Sequence, residues 1–153
     1  MGATQALSIP APAPPGPGAP DDSSSGAVVG EEFIWPVRGR VIAFFGTRTS
    51  HGPNKGVDIQ APEGTEVRAA RSGRIVFRDD NLRGFGKTVI LDHGEALSTI
   101  YAHLASMTIA AGHVVRQGQV IGLVGSTGRA AAPVLHFEIR RQHRPENPFY
   151  YLP

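Results

Sequence analysis

The sequence predicts an all-β fold, in which a duplicated β-hairpin forms a sandwich of antiparallel sheets with a groove and little helix. Three observations support this fold class. Short runs rich in Val and Ile are separated by Gly- and Pro-containing turns from residue 40 onward. No segment sustains the 3.6-residue apolar period of an amphipathic helix. Residues 64–67 and 73–76 are echoed by residues 112–115 and 118–121, and each run begins with glycine and ends in Val or Ile.

The predicted strands are rich in β-branched residues and bounded by turn residues. In chain order they are residues 40–45, 57–59, 66–69, 74–77, 87–92, 97–104 and 134–139. A polar loop is predicted at residues 47–55, and turns at residues 61–64, 71–73, 93–95 and 125–128. His93, His113 and His143 fall at turns, which predicts that they are solvated.

Side-chain alternation assigns faces to the two longest strands. In the strand at residues 97–104 it places Ile100, Ala102 and Leu104 on the core face, and it leaves Tyr101 and His103 together on the other face. Both of these polar aromatic side chains are therefore expected to face away from the core.

The last strand carries a second histidine of the same kind. Leu135, Phe137 and Ile139 form its apolar face, so His136 and Glu138 point the opposite way, together with the residue at position 134. Two histidines are thus predicted on the non-core faces of strands.

Composition limits the domain count and the environment. With 153 residues, of which 41% are hydrophobic, the chain is expected to hold one domain, residues 31–153. Residues 9–20 contain six of the 13 prolines, so residues 1–30 are interpreted as a disordered Ala/Pro-rich linker. No apolar run approaches the ~20 residues of a membrane span, and residues 1–4 do not resemble an export signal. The absence of cysteine excludes disulfides and thiolate ligands.

Charge is distributed unevenly. All 15 Lys and Arg residues follow residue 33, where they face nine Asp and Glu residues. A basic folded part either is simply a soluble surface or favours an anionic partner, such as an acidic protein or a cell-wall polymer. Nucleic acid is not expected, because no RNA-binding aromatic motif, helix-turn-helix pattern or dense basic run is present.

Several ordered motifs of residues 33–153 identify a family. They include Asn54-Lys-Gly-Val-Asp58, Tyr101-Ala-His103-Leu, Gly118-Gln-Val-Ile-Gly122, Gly125-Ser-Thr-Gly128 and Leu135-His-Phe-Glu138. Together they resemble the LytM and lysostaphin-type zinc endopeptidases of bacterial cell walls. The resemblance implies a zinc ion held by the His and Asp of an H-x-x-x-D motif and by the second His of an H-x-H motif. The first His of H-x-H and the His of a Tyr-x-His strand would assist catalysis.

The chain departs from that pattern at two positions. Asn54 stands where the first zinc ligand belongs, and Val134 stands where a catalytic histidine belongs. Asp58 and His136 keep two ligand positions as vestiges, and His103 keeps one catalytic position. An amide oxygen is a poor zinc ligand and an isopropyl group transfers no proton. The sequence therefore predicts neither catalysis nor a metal or other cofactor.

The paired loss is similar to degenerate LytM regulators of the NlpD, EnvC and DipM kind in Gram-negative envelopes. That resemblance implies a monomeric periplasmic or envelope protein that activates N-acetylmuramoyl-L-alanine amidases, and possible contact with other wall hydrolases and with peptidoglycan, during cell division and daughter-cell separation. The metal-free groove is predicted to bind the partner. Its predicted lining is Asn54, Lys55, Asp58, Tyr101, His103, Val134 and His136, with Arg83, Arg129 and Arg140 at the rim.

Other interpretations remain open. One is an active zinc endopeptidase that recruits His51 beside Asp58 and His136. Another is a passive peptidoglycan-binding module. Asp58 and His136 also suit a purely structural role. Sugar-phosphotransferase and lipoyl-carrier domains share duplicated hairpins, but the first needs a histidine where Asn54 stands and the second needs a lysine at a hairpin tip.

Overall fold

The computed structural model describes residues 31–153, and the predicted linker, residues 1–30, lies outside the described residues. The described part contains twelve strands and one 3-10 helix, Pro148–Tyr150. The strands are β1 (Arg40–Ala43), β2 (Arg48–Thr49), β3 (Gly52–Pro53), β4 (Val57–Gln60), β5 (Glu66–Arg68), β6 (Gly73–Leu82), β7 (Gly86–Gly94), β8 (Leu97–Met107), β9 (Val114–Val115), β10 (Val120–Val124), β11 (Val134–Arg141) and β12 (Arg144–Glu146).

Ten strands form one antiparallel sheet, and seven of them follow the order β1-β4-β11-β8-β7-β6-β9. β10 pairs with both β5 and β8, β12 pairs with β11, and β2 and β3 form a separate ribbon. The predicted all-β class with little helix is confirmed. Within residues 31–153, no helix combines the length and the apolar character that a membrane crossing requires.

The two repeats exchange strands instead of closing as separate hairpins. β5 and β6 belong to the first repeat, whereas β9 and β10 belong to the second. β5 pairs with β10, and β6 pairs with β9. Each repeat therefore satisfies part of its backbone hydrogen bonding through the other, and the duplication seen in the sequence becomes a single interlocked unit.

The core lies on one face of the central strands. Val57 and Ile59 of β4 and the three apolar residues of β11 predicted to face inward are fully buried in it. The alternation predicted for residues 134–139 is therefore correct. The opposite face of β11 is also covered, since Glu138 is fully buried and His136 is 9% exposed.

His93 is a core residue, so its predicted position in a solvated turn is wrong. The hairpin turn between β7 and β8 lies later, at Glu95 and Ala96, which both have positive φ. The Nδ1 of His93 donates to the carbonyl of Ser72 at 2.7 Å, and its Nε2 lies 2.8 Å from the Thr99 hydroxyl. Burial lowers the pKa of His93 to about 4, so the ring is neutral. His113 and His143 are exposed, as predicted.

Candidate functional site

The floor of the site is built from the adjacent strands β4, β11 and β8. In the sheet register His136 lies opposite Asp58 on one side and opposite Ala102 on the other. Side chains of directly opposed residues point to the same face of a sheet. The alternation of three strands thus brings Asp58 and His136 together on the face opposite the core.

Four charged side chains form a continuous row of ion pairs across this floor. The Nδ1 of His136 lies 2.6 Å from Oδ1 of Asp58, and its Nε2 lies 2.8 Å from Oε2 of Glu138. The Nε of Arg140 donates to Oε1 of Glu138 at 2.7 Å, and a terminal guanidinium nitrogen of Arg140 lies 2.6 Å from the same oxygen. Two acidic and two basic side chains alternate in this row, so their charges nearly cancel.

His136 is held in its charged form. Burial lowers the pKa of this imidazole, but hydrogen bonds and charges from Asp58 and Glu138 outweigh burial and raise the pKa to about 9. Burial likewise raises the pKa of Glu138, but His136 and Arg140 outweigh that effect and leave the pKa of this carboxyl below its ordinary value. Near neutral pH, His136 therefore donates both ring N–H groups to carboxylates.

His103 reaches the same face because of a β-bulge in β8. Ala102 and His103 together oppose the single residue Thr88 of β7, and His103 has φ +65°. The bulge turns the His103 ring toward His136, with 6.0 Å between ring centroids. Its Nδ1 donates to the Thr127 carbonyl at 2.8 Å. Burial lowers the pKa of His103, so the Nε2 of the neutral ring is left as an acceptor.

Tyr101 lies in the core and not in the groove, so its predicted place in the groove lining is wrong. The residue is fully buried, and its ring lies 5.3 Å from that of Phe137. Its hydroxyl accepts from the backbone N–H of Ala70 at 3.0 Å and bonds the Thr99 hydroxyl at 2.8 Å. The alternation predicted for residues 97–104 fails because the bulge at positions 102–103 separates the faces of Tyr101 and His103.

Asn54 is buried in the segment between β3 and β4. Its Oδ1 accepts the backbone N–H of Gly56 at 3.0 Å. Gly56 lies so close to β11 that a Cβ there would stand 2.1 Å from the Phe137 carbonyl oxygen, which requires glycine at this position. The Asn54 Nδ2 has no hydrogen-bond partner among the described residues. Asn54 is 7% exposed, so this amide donor is shielded from bulk water.

Phe85 forms one wall of the site, and the sequence prediction of the lining missed it. Its ring meets the ring of His136 edge-on, with 5.5 Å between centroids. Phe85 is held by its neighbours, because its carbonyl accepts the backbone N–H of His103 at 2.8 Å. The signal in the sequence was an aromatic residue between two glycines, Gly84 and Gly86.

The segment that carries Phe85 is hydrogen-bonded to the loop at residues 125–129. The Thr127 hydroxyl donates to the Leu104 carbonyl at 2.8 Å and accepts the backbone N–H of Lys87 at 3.1 Å. The two loops touch at Gly86, where φ is +71° and a Cβ would lie 2.3 Å from the Thr127 Oγ1. Only glycine allows both this φ and this approach.

The remaining predicted residues occupy three different settings. Lys55, Arg83 and Arg129 are exposed, and Arg129 is anchored by its backbone N–H, which donates to the Gly84 carbonyl at 3.0 Å. Arg140 is not a rim cation as predicted, because its guanidinium neutralises the buried Glu138. Val134 is buried two residues before His136 and therefore lines the same face.

These donors do not fit a catalytic zinc ion. Such an ion takes about three protein ligands with free lone pairs, but both nitrogens of His136 face carboxylates and the Asn54 Oδ1 is engaged by Gly56. His51 is exposed, and its Nδ1 lies 3.2 Å from the Ser50 hydroxyl. Among residues 31–153, no group of three His, Cys, Asp or Glu side chains is placed to hold a metal.

The chain is similar to several known proteins. It is 40% identical over 119 residues to the murein hydrolase activator NlpD of Escherichia coli. That match covers 78% of this chain and 31% of NlpD. It is 38% identical over 109 residues to the cell division protein DipM of Caulobacter vibrioides, covering 71% of this chain and 18% of DipM. The chain thus spans about a third or less of these relatives.

A solved structure shares the fold. The crystal structure of a zinc containing peptidase from Vibrio cholerae matches with a TM-score of 0.71 and 28% identity, over 76% of this chain and 39% of that one. The model of Peptidase family M23 matches residues 52–148, which include Asn54, Asp58, His103, Val134 and His136. The resemblance to LytM-type domains is confirmed, and the chain belongs to peptidase family M23.

Proposed function

We propose that this domain is a non-catalytic regulator of peptidoglycan hydrolysis, which activates N-acetylmuramoyl-L-alanine amidases during cell division and daughter-cell separation. One observation carries the proposal: His136 is bonded through both ring nitrogens to Asp58 and Glu138, and the sequence has Asn54 and Val134 where the family resemblance implies imidazoles. This donor set offers no three-ligand site for the zinc that would activate a water molecule.

The proposed mode of action is protein binding through the groove, defined here as the surface formed by Asp58, His103, His136, Val134 and Phe85. The row of ion pairs from Asp58 to Arg140 and the hydrogen bonds of Thr127 hold this surface in one arrangement. A preformed surface loses little entropy on binding. Lys55, Arg83 and Arg129 are exposed, and the Arg129 guanidinium lies against Gly84, the residue before Phe85. A partner segment that carries acidic residues fits this charge pattern.

The relatives support the biological setting. NlpD is named a murein hydrolase activator and DipM a cell division protein. We therefore place this domain in the periplasm or cell envelope of a Gram-negative bacterium, with an amidase as its partner. Other wall hydrolases and peptidoglycan itself are further partners in this proposal, and the domain acts as a monomer.

A dye-release assay on labelled peptidoglycan tests the proposal. The domain, an N-acetylmuramoyl-L-alanine amidase of the same bacterium, and both together are compared, with zinc content measured in each preparation. Stimulation of the amidase by a domain that releases no dye alone supports the proposal. Dye release by the domain with stoichiometric zinc identifies an endopeptidase. Sedimentation with sacculi without stimulation identifies a passive wall-binding module.

The groove is tested by charge reversal. Lys55→Glu and Arg129→Glu are expected to lower amidase stimulation, because each places a negative charge at the rim where an acidic segment would lie. Arg116→Glu is the matched control: Arg116 is exposed between β9 and β10, and β9 lies at the edge of the sheet farthest from β1. Equal stimulation by all three variants contradicts binding through the groove.

A further inference from the structure

We propose that the proline-rich segment, residues 9–20, binds within the same molecule to an aromatic cluster on the folded domain, defined here as Trp35, Phe44 and Phe149. The proposal does not rest on the proposed function, because neither the segment nor the cluster belongs to the groove. It joins two features to which the groove gives no role: the prolines that precede the domain and the aromatic rings at its surface.

Three stretches of the chain converge in the aromatic cluster. Trp35 precedes β1, Phe44 directly follows β1, and Phe149 is the middle residue of the 3-10 helix. The Phe149 ring contacts both other rings, with centroids 5.8 Å from that of Trp35 and 5.7 Å from that of Phe44. The Trp35 indole is fixed by its Nε1, which donates to the Pro153 carbonyl at 3.0 Å. The three rings therefore form one continuous surface.

The aromatic cluster is apolar and yet open to solvent. Phe44 and Phe149 are exposed, and Trp35 is partly exposed. Tyr150, the next residue of the 3-10 helix, is 82% exposed. Single exposed apolar side chains are common on protein surfaces, but adjoining apolar rings indicate a binding surface. An apolar ligand that covers these rings removes them from water, which favours its binding.

A proline-rich sequence suits such a surface. Residues 9–20 contain six prolines, and a sequence of this kind favours the extended polyproline helix. Aromatic-lined surfaces bind this helix by packing its proline rings between aromatic side chains. Because proline restricts the free chain, little conformational entropy is lost on binding. The segment therefore has the chemistry that the cluster lacks a partner for.

The segment is tethered within reach of the aromatic cluster. Glu31, where the described residues begin, is four residues from Trp35, so their Cα atoms lie at most about 14 Å apart. The ten residues 21–30 can span about 33 Å, which is more than enough to turn back to the cluster. A tether of this length gives an effective concentration on the order of millimolar. A weak intrinsic affinity is therefore sufficient for docking.

Charge favours the same occupant. Asp21 and Asp22 directly follow the proline-rich segment, and Arg40 is exposed at the start of β1, four residues before Phe44. A docked segment can thus place unlike charges near each other. Residues 1–32 contain no Lys or Arg, so the segment brings no cation toward this basic end of the domain.

The fluorescence of Trp35 tests the proposal, because Trp35 is the one tryptophan of the chain. The full chain is compared with a variant in which all six prolines of residues 9–20 are replaced by serine. We expect stronger acrylamide quenching and emission at longer wavelength in this proline variant, since the indole is no longer covered. Replacement of Ser23, Ser24 and Ser25 by alanine is the control and should change neither. Equal quenching of the wild type and the proline variant overturns the inference.

A substitution in the aromatic cluster tests where the segment binds. Phe44→Gln, made in the wild type and in the proline variant, is expected to shrink the difference in quenching between these two backgrounds. Val76→Gln is the matched control, because Phe44 is 51% and Val76 is 52% exposed. Val76 lies in β6, which four strands separate from β1, so the difference should persist. An equal loss of the difference in both variants contradicts binding at the cluster.

A synthetic peptide of residues 9–22 tests whether the segment binds within its own molecule. The peptide is titrated into the full chain and into the proline variant while Trp35 emission is recorded. We expect it to bind the wild type at least about tenfold more weakly than the proline variant, because the attached segment competes at its high effective concentration. Equal binding to both proteins, or to neither, contradicts the inference. Quenching of the wild type that depends on protein concentration also contradicts it, since the segment would then reach a second copy.

Discussion

The imidazole of His136 in β11 and the carboxylate of Asp58 in β4 lie 2.6 Å apart and join two adjacent strands through an ion pair. The resemblance to zinc endopeptidases assigns both residues to one metal ion. In this chain the two residues are joined instead by a hydrogen bond from the protonated Nδ1 of His136 to Asp58. The floor of the groove is thus held together without a metal, which ties its stability to protonation.

Stability should therefore fall as the solution becomes alkaline. The pKa of His136 is about 9 in the folded protein and 6.5 in the reference state. A raised folded pKa gives stabilisation that is complete below pH 6.5 and is lost as pH rises through 9. The free energy of unfolding is expected to drop by up to roughly 3 kcal/mol over this interval.

Urea unfolding at a series of pH values between 6 and 10 measures this effect. His136→Gln removes the titrating group, so its unfolding free energy should change little with pH across that interval. An equally steep decline in His136→Gln would assign the loss to other groups.

Removal of the Glu138 carboxylate should destabilise the domain strongly. Glu138 is fully buried between His136 and Arg140, so Glu138→Ala leaves Arg140 without its carboxylate partner and His136 with Asp58 alone. Breaking a buried ion pair from one side costs about 3–5 kcal/mol. Glu66→Ala is the control, because its pair with Arg68 is exposed and should contribute less than about 1 kcal/mol. Chemical denaturation gives both values, and similar losses would contradict the assigned role of Glu138.

Asn54→His should create zinc affinity that the wild-type domain lacks. The variant adds an imidazole four residues before Asp58, and this completes the three-donor set that the family resemblance implies, provided that His136 gives up its proton. After dialysis against zinc, metal analysis is expected to find stoichiometric zinc in Asn54→His only. Asn81→His, on the exposed Asn81, is the control for surface binding. Equal zinc in the wild-type domain would show that the donors present already suffice.

Gly86→Ala should weaken the wall of the groove. Alanine at this position would have to adopt the φ of +71°, and its Cβ would collide with the loop at residues 125–129. Gly64 separates these effects, because it has φ +91° and no atom within 4 Å of its ideal Cβ. Gly64→Ala is expected to cost about 1–2 kcal/mol from backbone strain, and Gly86→Ala about 1–3 kcal/mol more from overpacking. Thermal unfolding compares them, and equal costs would mean that the two loops separate freely.

Regular alternation made β11 predictable. Its apolar side chains occur at every second position, so the facing of Phe137 and His136 follows from strand geometry alone. The failure came in β8, where a bulge inserts one extra residue before Leu104. Nothing in local composition marks that bulge, since it is set by pairing with β7 and by the His103 contact with Thr127.

Contacts distant in sequence explain the other differences. His93 precedes a glycine and an acidic residue, which is typical of a turn, yet tertiary packing draws it into the core. Arg140 was predicted at the rim because its sequence position suggests an exposed cation, but it pairs with Glu138, which is buried. Both side chains obtain their environment from the sheet as a whole, which local sequence patterns do not encode.

The exchange of partners between the repeats has a consequence for the order of folding. β5 pairs only with β10 among the described strands, and β6 completes its pairing only with β9. A chain truncated before the second repeat exposes backbone groups of the first repeat that no local segment can cover. The unit should therefore acquire protease resistance in one late step, when the strands of the second repeat pair, and not progressively from its amino terminus.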